Sequence, residues 1–204
     1  MGLKNTHREY FNGKAHAWDT LQDDEKTTKL ITIFQEFNLY PQGRVLDIGC
    51  GTGVLIPIIS QLQKTQLNLV ELDFSENMLR QNKEKRINNT AMNLSHILAD
   101  THHLPFKEET VEWIIGFAVL PHLSRQNKVL AEWSKVLASG GNLLILHLMG
   151  SRELNYFHSQ MHGVITDDRL PPAADLSRIV RQYGFEVGTA IDQDGLYLIH
   201  AVKN

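Results

Sequence analysis

The chain has 204 residues, enough for one domain with a sizeable buried core. An apolar fraction of 42%, a charged fraction of 21% and a formal net charge of −3 are ordinary for a soluble globular protein and give nucleic acid or an anionic membrane little to hold. The single cysteine, Cys50, excludes an internal disulfide, no run approaches the about 20 apolar residues of a membrane helix, and the N-terminus lacks an apolar signal core, so a reducing, cytoplasmic setting is expected.

Residues 1–22 are polar with spaced aromatics at Tyr10, Phe11 and Trp18. In "DDEKTTKLITIFQEFNLY", Leu30, Ile33, Phe34 and Phe37 fall at helical spacing behind acids suited to a helix start, and "YPQG" stops the helix. From there short aliphatic runs at 44–48, 67–72, 94–98, 111–117 and 142–148 predict strands. "SENMLRQNKEKR" and "SRQNKVLAEWSKVLAS" predict amphipathic helices between them, with Ser75 and Ser124 as N-caps and "GG" at 140–141 closing the second. The basic run Lys83-Glu84-Lys85-Arg86 is mixed in sign and reads as a solvated helix face. Strands alternating with helices predict an α/β fold with a mostly parallel sheet covered on both faces. The tail gives a helix at 173–183, then strands at 185–191 and 196–202 around the turn "DQDG", a hairpin that requires one terminal strand to run antiparallel. The expected organisation is a single domain over 1–204: a helical cap (1–40), a core (41–150), a lid-like insertion (150–172) and a C-terminal helix and hairpin (173–204).

The first strand runs into "VLDIGCGTG", an acid followed by glycines at 49, 51 and 53. Glycines there let backbone N–H groups approach a ligand, and the helix starting near Gly53 adds its positive end. A dinucleotide site would read G-x-G-x-x-G, with pyrophosphate at the helix start. Here the spacing is G-x-G-x-G, and Asp47 would repel a pyrophosphate but pair with an ammonium. At the end of the second strand, "VELDFSENML" offers Asp73, or else Glu71, to accept two ribose hydroxyls. The ligand expected is a nucleoside carrying an ammonium.

"VLDIGCGTG" is similar to the first motif of class I S-adenosylmethionine-dependent methyltransferases, and the resemblance continues over roughly 40–202. "VELDFSENML" resembles the second motif, "ILADTHHLPFKEETVEWIIGFAVLPHL" the third and fourth, and "VLASGGNLLILHLM" the fifth-strand motif. The opening "REYFNGKAHAWD" resembles the ubiquinone/menaquinone-type branch. The resemblance implies a Rossmann-like, doubly wound, seven-stranded sheet with an antiparallel last strand, and S-adenosylmethionine as cofactor, released as S-adenosylhomocysteine. It further implies that Asp47, Gly49, Cys50, Gly51 and Gly53 hold the methionine end and Asp73 the ribose. Phe74 and Met78 would contact the adenine region and Asp100, with the backbone of Thr101, the adenine amino group. Phe117 and His122 would border the reacting centre. The chain departs from the family at Glu112, where Phe-Asp is usual, and at Ser139, where Pro is usual.

Nucleophile signatures are missing: no Asn/Asp-Pro-Pro-aromatic or cysteine follows the fourth strand, where "GFAVLPH" stands, and there is no three-cysteine cluster. A small organic acceptor is left by elimination. His122 and His147, on the rim where the fourth and fifth strands end, are candidate general bases or structural residues. His158 and His162 would form an i,i+4 pair close to Asp167 and Asp168, a metal site or a chance spacing; no metal is expected. His102 and His103 read as loop residues around the adenine. Segment 150–172 and residues 7–20 would form a lid, with Phe11, Trp18, Tyr156 and Phe157 lining an apolar acceptor pocket or packing the N-terminal helix. The rival readings are a non-catalytic S-adenosylmethionine-binding sensor or complex subunit, an NAD-binding oxidoreductase, and a metal-dependent module on His158 and His162.

Overall fold

Val45, Leu46 and Ile48 are fully or almost fully buried on alternate sides, as in a central strand covered on both faces. The structure, a computed structural model, describes residues 3–18, 24–84, 89 and 91–204. In chain order the elements are α1 (Leu3–Trp18), α2 (Asp24–Glu36), β1 (Gly43–Ile48), α3 (Leu55–Leu62), β2 (Leu67–Asp73), α4 (Glu76–Glu84), β3 (Met92–Leu98), β4 (Val111–Phe117), a 3-10 turn (Leu120–His122), α5 (Gln126–Val136), β5 (Leu137–His147), α6 (Ser151–Gln160), α7 (Ala173–Gln182), β6 (Phe185–Gln193) and β7 (Leu196–Lys203).

The seven strands form one sheet in the order β3-β2-β1-β4-β5-β7-β6. Neighbours from β3 to β5 pair parallel, while β7 pairs antiparallel with both β5 and β6. This is the doubly wound sheet expected, with the hairpin supplying the antiparallel strand. Alternation splits the core in two. Leu46, Ile114 and Ile145 face α5 and α7 residues such as Trp133 and Val180, whereas Val45, Ile115 and Leu144 face Phe34 of α2 and Ile59 of α3. Strand order reverses between β1 and β4, so the crevice beyond their C-terminal ends is the place for a ligand.

Two helix boundaries differ from the sequence expectation. Ser75 caps α4 as expected, its Oγ accepting the Met78 N–H at 3.2 Å. Ser124 does not cap α5: Arg125 turns left-handed (φ 52°) and the helix starts at Gln126 without a side-chain cap. That helix also stops at Val136, and β5 begins at once, with a register shift against β4 between Val111 and Trp113. The described part of α4 ends at Glu84, and Lys85 and Arg86 of the expected basic face lie outside the described residues.

Candidate functional site

The parallel register of β1 and β2 sets Asp47 directly beside Glu71. Both are almost completely buried. Burial, then the charges of Glu71 and Asp73, push the Asp47 carboxyl well up, and its hydrogen bond with Glu71 acts the same way. Asn82 of α4 donates Nδ2 to Glu71 Oε2 (2.7 Å) and faces His96 Nε2 through Oδ1 (2.9 Å). Burial and the three acids push the Cys50 thiol up, so it is no nucleophile. An ammonium reaching Asp47 would meet the carboxyls of Asp47, Glu71 and Asp73 together.

The turn after β1 is held by Gly49 N–H and Cys50 N–H, both donating to Leu72 O at 2.8 and 3.2 Å. Gly49 has φ +67°, and a Cβ there would lie 2.2 Å from Val119 Cγ2. Gly51 has φ +54°, yet a Cβ on it would meet nothing within 4 Å, because that residue opens onto the cavity. Gly53 is different: it does not line the cavity and packs on Ile56 and Asn82.

Asp73 ties this turn to the start of α4, accepting Gly51 N–H at Oδ2 (2.9 Å) and Ser75 N–H at Oδ1 (2.7 Å). The carboxylate lines the cavity, where it can accept from a ligand hydroxyl. Burial raises its pKa from 3.8 to about 6 against the opposing hydrogen bonds from Ser75, Gly51 and Phe74. The folded state therefore holds this proton more tightly than the unfolded chain, and Asp73 lowers the ligand-free stability as pH rises from about 4 through about 6. Asp73→Asn removes that dependence. Urea unfolding should show the variant gaining on the wild type by about 2 kcal/mol between about pH 4 and pH 6 and by roughly 3 kcal/mol over the whole titration, at about 1.4 kcal/mol per unit.

Helix α1 closes one side of this turn. Asn12 Oδ1 accepts Ser75 Oγ–H (2.7 Å) and Asn77 N–H (3.2 Å), and Asn77 Nδ2 donates to Asn12 O (3.1 Å). Phe11 then sits with its ring centroid 6.1 Å from Phe74, 5.1 Å from His122 and 5.8 Å from Trp18. Beyond β3, Asp100 Oδ1 accepts His102 N–H (3.0 Å) and faces His102 Nδ1, while His102 Nε2 faces Ser124 O. Thr101 Oγ1 accepts the Trp133 Nε1–H at 2.7 Å, fixing the backbone beside Asp100.

These groups share one cavity of about 960 Å³. It brings together Asp47, Gly49, Cys50, Gly51, Asp73, Phe74, Met78, Asp100, Thr101, Phe117 and His122 of the sequence-predicted set. Phe11 and Trp18 line it too, but Tyr156 and Phe157 do not: both are exposed on α6. His147 is also placed elsewhere. It is buried with its ring 5.8 Å from Tyr197, outside the cavity lining, and its Nε2 has no hydrogen-bond partner. Burial, then His122 and His158, pull its pKa down to about 3, so it stays neutral and walled off from an acceptor. His158 and His162 do not share a helix face, since α6 ends at Gln160, leaving His158 buried and His162 exposed. Among the described residues no group of three or more His, Cys, Asp or Glu is arranged to hold a metal.

Sequence reasoning missed a cluster on the far side of the cavity. Asp168 Oδ2 pairs with His122 Nδ1 at 2.6 Å, and Asp168 Oδ1 with His7 Nε2 at 3.0 Å. His158 Nδ1 donates to Asp168 O at 3.1 Å, its ring 5.2 Å from that of His122. Burial pushes the Asp168 carboxyl up, but the hydrogen bond and charge of His122, then those of His7, outweigh it and hold it below the usual carboxylate range. Nothing local announces these pairs, which join residues 46 and 161 positions apart.

Comparison with known proteins places this geometry. Residues 46–145 match the family described as "Methyltransferase domain". The Ubiquinone/menaquinone biosynthesis C-methyltransferase UbiE of Wigglesworthia glossinidia brevipalpis is 26% identical over 172 residues, covering 81% of this chain and 68% of that protein. UbiE of Yersinia enterocolitica is 32% identical over 144 residues, 68% of this chain but only 57% of its own length, so the match spans little more than half of that relative. Among solved structures, magnesium protoporphyrin IX methyltransferase (ChlM) from Synechocystis PCC 6803 with bound SAH superposes with a TM-score of 0.70 at 18% identity, covering 97% of this chain and 98% of that one.

Proposed function

Because the chain belongs to the class I S-adenosylmethionine-dependent methyltransferases, with S-adenosylmethionine as their cofactor, we propose that it transfers a methyl group to a small-molecule acceptor. The observation that carries this reading is one cavity lined both by Asp47, Asp73 and Asp100 beside the open Gly51 and by Phe11 and Trp18 of α1, His122 and the segment around Asp168. Its volume falls within the range of small-ligand sites, about 300–1,000 Å³.

The donor set fits the cofactor. Asp47 would hold the ammonium, the Gly49–Gly51 turn the methionine backbone, Asp73 the ribose hydroxyls, and Asp100 with Thr101 the adenine edge between Phe74 and Met78. When bound, the cofactor supplies an electrophilic methyl group on a sulfonium. The chain's own work is to orient the acceptor, exclude water and remove a proton where the acceptor carries one. Phe117 and His122 border the reacting centre, and α1 with the 150–172 segment serves as a lid over a single methyltransferase domain. The names of UbiE and ChlM, which point to small organic molecules, support this acceptor class. In the described residues no helix is long and apolar enough to cross a membrane.

The test is transfer from methyl-labelled S-adenosylmethionine into a size-fractionated cell extract. Label should appear in the low-molecular-mass fraction. Label in protein or nucleic acid instead would contradict the proposal. Binding of S-adenosylhomocysteine without transfer into any fraction would favour a sensor or complex subunit.

A further inference from the structure

Building on the methyltransferase reading, we infer that His122 is the proton acceptor of the site, and that Asp168 and His7 are positioning residues that hold it in the competent tautomer. The acceptor this implies is one whose reacting atom still carries its proton at neutral pH, such as a hydroxyl.

His122 lines the cavity, follows β4 directly and lies at the strand end where the cofactor's reactive end is expected. Its Nδ1 faces Asp168 Oδ2 at 2.6 Å, within hydrogen-bond reach. A carboxylate only accepts, so Nδ1 carries the hydrogen and the neutral ring has a bare Nε2. Nε2 takes no hydrogen-bond partner among the described residues, which leaves its lone pair for a ligand. His7 Nε2 faces both carboxylate oxygens of Asp168, Oδ1 at 3.0 Å and Oδ2 at 3.1 Å, and the Asp168 backbone carbonyl accepts from His158 at 3.1 Å. The residue is therefore held from α1 at its carboxylate and from α6 at its backbone, and the carboxylate cannot swing away from His122 without breaking the hold from α1. Phe11 packs edge-on against the His122 ring, 5.1 Å between centroids, and narrows its freedom further.

Nucleophile-side base and carboxylate orienter in this relation are the same logic that sets an imidazole in hydrolytic triads. In the step, the proton leaves the acceptor's oxygen and its bonding pair stays on that oxygen. The Nε2 lone pair forms the new N–H, and the imidazolium rests against the Asp168 carboxylate. A carboxylate acceptor would arrive ionised and would need none of this apparatus. His7 comes from the first helix, so the arrangement is complete only when α1 is docked over the cavity.

The experiment is nitrogen-15 NMR of the histidine side chains in the full chain saturated with S-adenosylhomocysteine, at a pH well above the ordinary imidazole value of about 6.5. The His122 signals, assigned with His122→Gln, should show Nδ1 protonated and Nε2 bare. In Asp168→Ala the acceptor for Nδ1–H is gone, so the Nδ1–H preference should be lost and Nε2–H should rise, with S-adenosylhomocysteine affinity kept within about threefold. A wild-type ring protonated on Nε2, or a tautomer unmoved by Asp168→Ala, overturns the inference. The wild-type spectrum decides the tautomer by itself should the variant not fold. Failure of the protein to bind S-adenosylhomocysteine would strike the methyltransferase reading and this inference with it, whereas binding with the wrong tautomer would remove this inference alone.

Discussion

Asp73→Ala is expected to weaken S-adenosylhomocysteine binding by roughly 10- to 150-fold, the ~1.5–3 kcal/mol associated with hydrogen bonds to a charged group. The carboxylate does two jobs at once. It can accept from a ligand hydroxyl, and it already accepts the Gly51 and Ser75 N–H groups that shape the glycine turn and the start of α4. Removal therefore leaves two backbone donors without their partner and loosens the turn on which Asp47 and the methionine end depend. Calorimetric titration of the variant checks this. Unchanged affinity would mean that the ribose lies elsewhere, and Glu71 is no substitute, since it is fully buried outside the cavity lining and held by Asn82.

The second large effect belongs to Gly49. A Cβ at this position would press to 2.2 Å from Val119 Cγ2 on a backbone at φ +67°. A left-handed non-glycine residue costs about 1–2 kcal/mol and overpacking about 1–3 kcal/mol more, so Gly49→Ala should lose roughly 2–5 kcal/mol of stability by urea unfolding. Gly51→Ala makes the contrast. Its Cβ would meet no protein atom within 4 Å. The stability loss should stop at the conformational cost of about 1–2 kcal/mol. Affinity for S-adenosylhomocysteine should nevertheless fall at least about tenfold, which about 1.4 kcal/mol of lost contact produces. The opposite pattern, a tolerant Gly49 and a Gly51→Ala that binds normally, would mean that the run is only a tight turn.

Much of the fold is legible in the sequence because its signals are local. The aliphatic runs at 44–48, 67–72 and 111–117 are buried on both faces and so carry no polar alternation to blur them. "DG" between two strand-like runs gives the hairpin, and with it the antiparallel strand. The part of the cavity around the glycine turn is legible for the same reason: Asp47, Gly49, Gly51 and Asp73 stand at strand ends, where one turn of chain decides where a residue points. Ser75 and Ser124 show where this stops. Both precede an amphipathic run, but only Ser75 caps. Ser124 has its carbonyl facing His102, and the backbone passes through a left-handed Arg125 before α5 begins.

The rest of the cavity was far less readable. His147 and His122 both end strands and look alike in sequence; the difference is that β7 lies beside β5 and sets Tyr197 against His147, a long-range consequence of the hairpin. Asp168 carries no motif at all, and its side-chain partners come from the first helix and from the 3-10 turn after β4. Aromatics on α6 were expected to face inward with those of α1, but Tyr156 and Phe157 take the solvent side while Leu154 and His158 take the inner one. A helix of ten residues with few apolar positions does not declare which side it buries.

The most direct measurement is a crystal structure of the complex with S-adenosylhomocysteine. The account predicts the ribose hydroxyls on Asp73, the ammonium at Asp47, the adenine at Asp100 and Thr101, and the sulfur facing the part of the cavity that His122 lines. A ligand bound away from the glycine turn, or one whose sulfur faces away from His122, would contradict it.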